Sequence, residues 1–503
     1  MTDSREAAFQ ELRTRAAELH DLTKVGMVLN WDQRTMMPPA GAPGRSSQLG
    51  TITRIAHELL VSDGTARVLD AAAAHEDALD YDSDDAALLR FLRREHEKAR
   101  RVPAKLRAEM AAAASRALPV WDRARSESDF DSFRPYLERN LALRREYVAA
   151  LGAADEPYDH LLDDFEPAMK TAEVRAVFDE LKEGLVPLIA EVAEREPVDT
   201  SCLEGEFDLA AQHELERRIL EAFGFTRETW RIDETAHPFA SSGSITDIRI
   251  TTHHRSSDLH SLFSTMHEFG HGLYERQVNL DLEGTPLARG CSLAWHESQS
   301  RMWENLVGRS RPFWRHFFPQ LQELFSSFRS VELDDFYRAI NAVQPSLVRI
   351  ESDEATYNLH IVLRFELEQE LLMGDGDLRD LPERWDAKMH DYLGIEVPDV
   401  ADGVLQEMHW AAGHIGYFST YSLGNIVSCQ LWERITDELP DLEEQFEQGE
   451  FGALREWLGE NVHRFGRKYL PRELLERVVG NGIDPQPYLA YLRAKLGAIY
   501  ALL

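Results

Sequence analysis

Lysine is scarce in this chain of 503 residues: only eight of the 55 basic residues are lysine, and 88 acidic residues outnumber them all. The formal net charge is −33. A field of this sign repels nucleic acids and anionic membranes, which excludes both as partners. Because salt screens the self-repulsion of such a chain, the composition predicts a protein from a high-salt cytoplasm, such as that of a halophilic archaeon. A merely acidic protein from a GC-rich genome is the alternative.

Other absences limit the class of protein. Three widely spaced cysteines, Cys202, Cys291 and Cys429, provide no disulfide framework and favour a reducing compartment. The sequence contains no run of about 18 apolar residues, so we expect no transmembrane helix. It starts with the polar residues Met-Thr-Asp-Ser-Arg-Glu, so we expect no secretory signal. These features predict a cytoplasmic protein. Because no linker or repeat interrupts the sequence, we expect one domain over residues 1–503.

Apolar residues recur three and four positions apart through most of the chain, which is typical of amphipathic helices. The pattern predicts helices from Glu6 to about Val192, over Leu209–Phe223, and from Asp258 to the end. Alternation over residues 230–233 and 245–252 predicts a small sheet. We therefore expect a mainly α fold, with a helical N-terminal part over 1–200 and a second part over 201–503. Because the second part contains an HExxH pattern, we expect it to be the catalytic part, with the small sheet at the edge of its active site.

The most informative segment of the chain is an HExxH pattern over residues 267–271, set within a helical periodicity. Residues four apart share one face of a helix, so His267 and His271 can both point at one metal ion. Glu268 projects beside them, where it can take a proton from water activated by the metal. A helix whose histidines make ordinary hydrogen bonds is the alternative.

Small and capping residues around this pattern predict local structure. Gly270 and Gly272 weaken the helix, which makes sense if another backbone or a wall of the site approaches closely there. Ser256 or Ser257 is available to cap this helix, and Ser292 to cap the next one.

A third ligand is expected from the segment Ser292–Val307, which contains the adjacent residues His296 and Glu297. A carboxylate there would complete three protein ligands and leave the fourth position open, as in catalytic rather than structural zinc sites. Adjacent helix positions diverge by about 100°, so only one of the two side chains can face the metal. The residues alone leave both open.

These motifs resemble those of the M32 metallocarboxypeptidases, the family typified by carboxypeptidase Taq. Similar segments follow one another along nearly the whole chain: WDQ…MPP over 28–39, HPF over 237–239, DxRxT over 247–251, HExxH over 267–271, HESQS over 296–300, IRxxAD over 348–353 and GxxQDxHW over 403–410. The chain departs from the last two patterns by Val348 for Ile, Ser352 for Ala and Glu407 for Asp.

The resemblance implies an enzyme that cleaves peptides and forms a homodimer. It also implies that each chain is a single large helical gluzincin-type domain with a deep active-site cleft. It implies Glu297 as the third metal ligand and Glu268 as general base and acid. The implied metal is Zn2+, with Co2+ also acceptable because both ions take nitrogen and oxygen ligands. An oligoendopeptidase of the same helical type is the alternative enzyme. A zinc-stabilised scaffold without activity is a further alternative, although a scaffold would not need Glu268.

Removal of C-terminal residues requires a group that recognises a free carboxylate, and the planar fork of arginine suits that task. The resemblance makes Arg349 the first choice and Arg249 the second. A structural ion pair with Glu351 or Asp353 is the alternative for Arg349. Candidate donors to the developing oxyanion are histidines and tyrosines of motifs similar to cleft-lining ones: His237, His409, Tyr417 and Tyr421. Core packing or a structural hydrogen bond is the alternative for each.

Overall fold

A computed structural model describes residues 2–374 and 376–502 of the chain. Over these residues the protein forms 21 α-helices and three β-strands. The helices are α1 (Thr2–Thr35), α2 (Ala42–Val61), α3 (Asp63–Ala73), α4 (Asp84–Arg101), α5 (Ala104–Glu127), α6 (Phe130–Leu151), α7 (Asp159–Leu162), α8 (Thr171–Ala193), α9 (Leu209–Phe223), α10 (His260–Arg276), α11 (Leu293–Arg301), α12 (Arg311–Leu324), α13 (Leu333–Ile340), α14 (Tyr357–Met373), α15 (Leu381–Leu393), α16 (Met408–Ala411), α17 (Ser419–Glu438), α18 (Leu442–Glu447), α19 (Gly452–Asn461), α20 (Pro471–Val479) and α21 (Gln486–Tyr500). The strands are β1 (Trp230–Glu234), β2 (Ala240–Ser244) and β3 (Asp247–Thr252).

The mainly α fold agrees with the sequence pattern, and so do two of the strands. Helix α9 has the predicted bounds, and the two predicted strands form as β1 and β3. Strand β2 lies outside the predicted strands because its sequence, Ala-Ser-Ser-Gly-Ser, lacks the β-branched and aromatic residues that favour extended structure. No helix within residues 2–374 and 376–502 combines the length and apolar character that crossing a bilayer requires.

The chain divides into two compact units, each assembled from three segments. The first unit comprises Met1–Arg100, Asp199–Ile340 and Leu431–Asn481. The second comprises Arg101–Val198, Asn341–Gln430 and Gly482–Leu503. One of these segment boundaries lies beside residue 200, where we expect the catalytic part to begin. The expectation of one domain over the whole chain stays a prediction.

The first unit contains the sheet, whose strands are ordered β1-β3-β2. Strand β3 pairs in parallel with β1 and antiparallel with β2. Ile248 and Ile250 of this central strand are fully buried. Helix α10, which carries the HExxH pattern, packs against β3 and β2. The candidate metal-binding helix is therefore positioned by its packing against the sheet.

An aromatic cluster fixes the rotation of α10 about its axis. The ring of Phe269 stacks on Trp230 at 5.2 Å and contacts Phe223 at 5.2 Å and Trp303 at 5.1 Å. All four side chains are buried, and each such pair contributes about 0.5–1.5 kcal/mol beyond its buried area. Positions two apart on a helix diverge by about 200°. Burying Phe269 therefore turns the residues two before and two after it, the two HExxH histidines, to the opposite face.

Helices α10 and α11 approach each other closely at Gly270. A Cβ atom at this position would lie 2.4 Å from the carbonyl oxygen of Gln299 and 2.7 Å from Cα of Ser300. At Gly272 a Cβ would lie 2.5 Å from the ring of Trp230. The prediction that close neighbours explain both glycines is confirmed.

The start of α11 is capped as predicted, whereas the start of α10 is not. Ser292 Oγ accepts a hydrogen bond from the backbone N–H of Trp295 at 3.2 Å. The serines at 256 and 257 precede α10 without capping it, so that prediction is wrong. The carboxylate of Asp258 instead accepts from the N–H of His260, the first residue of the helix, at 3.0 Å. The ionised carboxylate is a stronger acceptor than a hydroxyl and lies nearer to the first turn.

The substitution Gly270→Ala should lower the free energy of unfolding by about 1–3 kcal/mol, because the new methyl group meets backbone atoms of α11 that cannot rotate away. Urea unfolding of the two proteins measures the difference. Gly26→Ala in α1 is the matched control, since nothing lies within 4 Å of its Cβ, and it should be neutral or stabilise by about 0.5–1 kcal/mol. Equal stability of the two variants would contradict the close approach.

Candidate metal centre

Helices α10 and α11 bring three donor atoms together in the first unit. Nε2 of His267 lies 3.7 Å from Oε2 of Glu297, and Nε2 of His271 lies 3.6 Å from the same oxygen. All three atoms lie within 4.8 Å of one another. Ligands on a tetrahedral zinc ion are about 3.3–3.6 Å apart, because each bond is about 2.0–2.2 Å long. The donor atoms and their spacing therefore fit one divalent ion of the zinc class.

The carboxylate of Glu297 is held with one oxygen toward the histidines. Nε of Arg301, one helical turn later, donates to Oε1 at 2.7 Å. The hydroxyl of Ser300 donates to Oε2 at 3.3 Å. Glu297 is buried, with 5% of its surface exposed, so these two contacts fix its rotamer. Oε2 is left facing the two imidazoles.

The neighbouring His296, the rival ligand, has a different partner. Its Nε2 lies 2.9 Å from Oε1 of Glu275, and the backbone N–H of Gly290 donates to that oxygen at 3.0 Å. Burial alone would raise the pKa of Glu275, but the His296 hydrogen bond and nearby cations hold that pKa well below its usual range. The anion keeps His296 engaged away from the three donor atoms.

A second carboxylate, Glu304, orients the first histidine. Nδ1 of His267 lies 2.9 Å from Oε2 of Glu304, and Arg301 Nη1 donates to the same oxygen at 3.2 Å. Burial would raise the pKa of Glu304, but Arg301, His267 and Arg309 outweigh it and hold the pKa well below its usual range. Metal-binding histidines commonly donate their other N–H to a carboxylate, which fixes the ring and its tautomer. Glu304 supplies that partner.

The general-base candidate, Glu268, is buried beside these groups. Only 6% of its surface is exposed, and its Oε2 atom makes no hydrogen bond to any described residue. Burial raises the pKa of Glu268 to about 7; His267 and Arg34 lower it, while Glu297 and Glu304 add to the rise. A carboxylate that titrates near neutrality can both accept and return a proton.

Arg34 of α1 connects the HPF motif to this centre. Its charge acts on Glu268 through space, its Nη2 donates to the backbone oxygen of His237 at 3.2 Å, and its guanidinium stacks on Phe239 at 3.7 Å. The hydroxyl of Thr251 accepts from the N–H of Phe239 at 2.7 Å. The WDQ, HPF and DxRxT segments therefore support one another, with the His237 side chain at an exposed position.

Arg249, the second choice for a carboxylate anchor, already has a bidentate partner. Its Nε and Nη2 donate to the two oxygens of Asp247 at 2.9 and 2.7 Å. The guanidinium also lies 4.4 Å from the ring centre of Trp31. With its fork engaged by its own strand, Arg249 has a structural role in this geometry, and its role as an anchor stays a prediction.

In the second unit Arg349, His409 and Tyr421 lie in one aromatic cluster. The Arg349 guanidinium carbon is 5.0 Å from the ring centre of Tyr421 and 5.6 Å from that of Phe418. The ring of His409 is 4.8 Å from Phe418, and it stacks on Tyr417 at 5.3 Å. The structure therefore brings together three of the predicted substrate-binding residues within this unit.

The guanidinium of Arg349 is not paired with either neighbouring acid. Its Nη1 donates to the hydroxyl of Tyr357 at 2.8 Å. Asp353 instead accepts from the backbone N–H groups of Ala355 and Thr356 at 2.9 and 3.0 Å. Within residues 2–374 and 376–502, no carboxylate forms an ion pair with Arg349.

The orientation of His409 depends on a buried ion pair. Its Nδ1 lies 2.8 Å from Oε1 of Glu407, whose Oε2 accepts from Nε of Arg364 at 2.6 Å. Burial would raise the pKa of Glu407, but Arg364, His409 and Arg349 together lower it to about 2. The imidazole is therefore fixed through Nδ1.

A family model for the carboxypeptidase Taq (M32) metallopeptidases matches residues 11–496 of the chain. Thermostable carboxypeptidase 1 of Thermus thermophilus is 41% identical over 507 aligned residues, covering 98% of this chain and 99% of that protein. Carboxypeptidase 1 of Bacillus subtilis is 35% identical, covering 98% of this chain and all of that protein. The chain belongs to the M32 carboxypeptidase Taq family.

The solved structures agree with this assignment. The M32 carboxypeptidase of Deinococcus radiodurans R1 is 37% identical and superposes with a TM-score of 0.95, covering 99% of this chain and all of that one. The resemblance drawn from the ordered motifs is therefore confirmed. This M32 protein is a metallocarboxypeptidase, and the family implies a divalent metal.

Two residues near the metal centre of this M32 enzyme, Arg34 and Glu304, were not among the predicted site residues. Glu304 was within reach of the sequence, because Glu297, Arg301 and Glu304 follow the i, i+4, i+7 spacing of one helix face. The six-residue π-helix Met302–Val307 that continues α11 carries it, and such irregular turns are frequent at functional sites. Arg34 lies within the WDQ…MPP segment, but no spacing in the sequence connects it to the HExxH pattern more than 200 positions away.

The substitution Glu304→Gln should weaken metal binding by about 10- to 100-fold, because the amide orients the His267 ring less strongly than the carboxylate does. Competition with a chromophoric chelator measures the dissociation constant. Glu443→Gln makes the same chemical change at an exposed position of α18 and should leave that constant unaltered. An unchanged constant for Glu304→Gln would mean that the contact to His267 has no influence on the ion.

Proposed function

We propose that this M32 enzyme uses zinc to remove single residues from the free C-terminus of peptides, with Glu268 as general base and then general acid. The observation that carries the proposal is the buried carboxylate of Glu268, without a hydrogen bond on Oε2, next to three donor atoms spaced for one ion. A structural metal site would need the three ligands but not this fourth group.

The chemistry divides between the ion and the chain. His267, His271 and Glu297 would hold a divalent ion, which when bound would supply polarisation of the scissile carbonyl and a lowered pKa of water. Glu268 accepts the proton of the attacking water and donates it to the leaving amine. Burial favours the protonated form of Glu268 between these two steps, since the site excludes the water that would stabilise its charge.

Peptide recognition is assigned to the cluster of the second unit. Arg349 is the proposed anchor for the C-terminal carboxylate, because no carboxylate within residues 2–374 and 376–502 forms an ion pair with its guanidinium and Glu407 acts on it only through space. His409 and Tyr421 are proposed donors to the substrate within this unit. His237 of the first unit stays a predicted donor. The hydroxyls of Tyr421 and Tyr417 lie 3.4 Å apart, so the two tyrosines can act as one polar edge.

Several features of the wider proposal rest on composition and on the family resemblance. They are a cytoplasmic location, a high-salt environment, a homodimer and zinc rather than cobalt as the resident metal. The acidic surface and scarce lysine support the high-salt setting. The oligomer and the choice of metal rest on the resemblance alone.

The substitution Glu268→Gln should lower kcat by about 100- to 10,000-fold, because the amide cannot accept the proton of water. Metal content and melting temperature should stay the same, since Glu268 supplies none of the three donor atoms. Steady-state hydrolysis of a short unmodified peptide measures kcat, and elemental analysis measures the metal. Turnover equal to that of the unchanged enzyme would remove Glu268 from the mechanism.

Replacing Arg349 by Ala should reduce kcat/KM for peptides with a free C-terminus far more than any residual activity on the same peptides with a C-terminal amide. The reason is that a charged fork binds a carboxylate much more strongly than a neutral amide. Time-resolved mass spectrometry on one peptide follows the products, which should shorten stepwise from the C-terminus.

Arg329→Ala, at an exposed position, is the matched control and should behave like the unchanged enzyme. Equal losses on free and amidated peptides would exclude Arg349 as the anchor. Internal cleavage of the amidated peptide by the unchanged enzyme would instead identify an oligoendopeptidase.

A further inference from the structure

Three potential metal ligands outside the catalytic centre meet beside the sheet of the first unit. His213 lies on α9, Glu234 is the last residue of β1, and His254 follows the end of β3. One donor atom of each lies within 4.8 Å of the others. Two imidazoles and one carboxylate form the same set of donors as in the catalytic centre, although none of the residues is shared.

The distances between donor atoms in this cluster are near the distances between the ligands of one metal ion. Nδ1 of His254 lies 2.7 Å from Oε1 of Glu234, and Nε2 of His213 lies 3.7 Å from the same oxygen. The two imidazole rings are in contact, with their centres 3.9 Å apart. Ligands of one tetrahedral ion would be about 3.4 Å apart. His213 and Glu234 are half-exposed, so both side chains have room to adopt that spacing around an ion.

The third proposed ligand, His254, has a buried carboxylate, Glu216, behind its ring. Its side chain is only 2% exposed, and its Nε2 lies 3.2 Å from Oε2 of Glu216 without a hydrogen bond of normal geometry. The hydroxyls of Thr265 and Thr252 donate to that same oxygen at 2.7 and 3.1 Å. A carboxylate behind a histidine is the arrangement that fixes metal-binding imidazoles in proteins. Here it turns Nδ1 of His254 toward the other two ligands.

We propose that His213, Glu234 and His254 form a second binding site for a divalent ion of the zinc class. Binding replaces the proton that Nδ1 of His254 shares with Glu234, and water completes the coordination sphere at the exposed side. The ion connects α9 to the ends of β1 and β3, so it acts as a structural clamp. The net charge of the chain concentrates cations at such a site. The inference does not depend on the proposed catalytic function.

Metal stoichiometry tests the second site directly. The full chain, stripped with a chelator and dialysed against Zn2+ at micromolar concentration, should retain two ions per chain, and His213→Ala should retain one. Glu234→Gln, which changes an exposed side chain, should also retain one. His390→Ala is the matched control because His390 is likewise an exposed histidine beside a carboxylate, Glu396, and this variant should retain two.

The same measurement separates the two sites. The double variant His267→Ala/His271→Ala should keep one ion, and its melting temperature should rise when Zn2+ is added. The triple variant that also carries His213→Ala should bind no ion and show no such rise. In the double variant, the further substitution Glu216→Gln should weaken zinc binding by about 10- to 100-fold. One ion per chain in both the unchanged protein and His213→Ala would overturn the second site. Two ions in both proteins would overturn it as well, by placing the second ion elsewhere.

Discussion

The contact between α10 and α11 at Gly270 is the constraint on which the rest of the centre depends. The two histidines belong to one helix and the third candidate donor, Glu297, to the other, so the distance between their backbones sets the distance between the donor atoms. With a carbonyl oxygen 2.4 Å from where a Cβ would be, only glycine permits this separation. The helix propensity lost at the glycine, about 1 kcal/mol, is offset by burial of Phe269 on the adjoining face.

Electrostatics pose a second constraint, because Glu268, Glu297 and Glu304 are all buried within one small region. Buried carboxylates favour protonation unless cations or hydrogen bonds stabilise their charge. Arg301 contacts Glu297 and Glu304, which leaves Glu268 as the member without a direct partner on Oε2. That difference in partners distinguishes Glu268 from the other two carboxylates, and the proton-transfer role proposed for it rests on this difference.

Much of this architecture could be read from the sequence, and the failures have physical causes. The 3.6-residue periodicity identifies helices, and alternating β-branched residues identify β1 and β3. The sequence of strand β2 shows neither the helical periodicity nor the alternation of β-branched residues. Pairing with β3, rather than the β-propensity of its own residues, makes this segment extended. The serine caps predicted for α10 fail because a stronger acceptor, Asp258, lies closer to the first turn. Glu304 follows a periodicity that was available, whereas contacts of Arg34 with the HPF segment join residues about 200 positions apart.

By itself, the sequence determined the class of chemistry. The HExxH spacing places two imidazoles and a carboxylate on one helix, and the ordered motifs determine the M32 family. Only the tertiary structure shows the different surroundings of His296 and Glu297, since the two are adjacent in sequence; Glu297 as the metal ligand is implied by the family resemblance and stays a prediction. Glu275 engages His296 and Arg301 turns Glu297 toward the histidines, and both arrangements arise from contacts made after the helices pack. The tertiary structure also shows that Arg349 forms no ion pair with Asp353, because the Asp353 carboxylate accepts hydrogen bonds from backbone N–H groups instead.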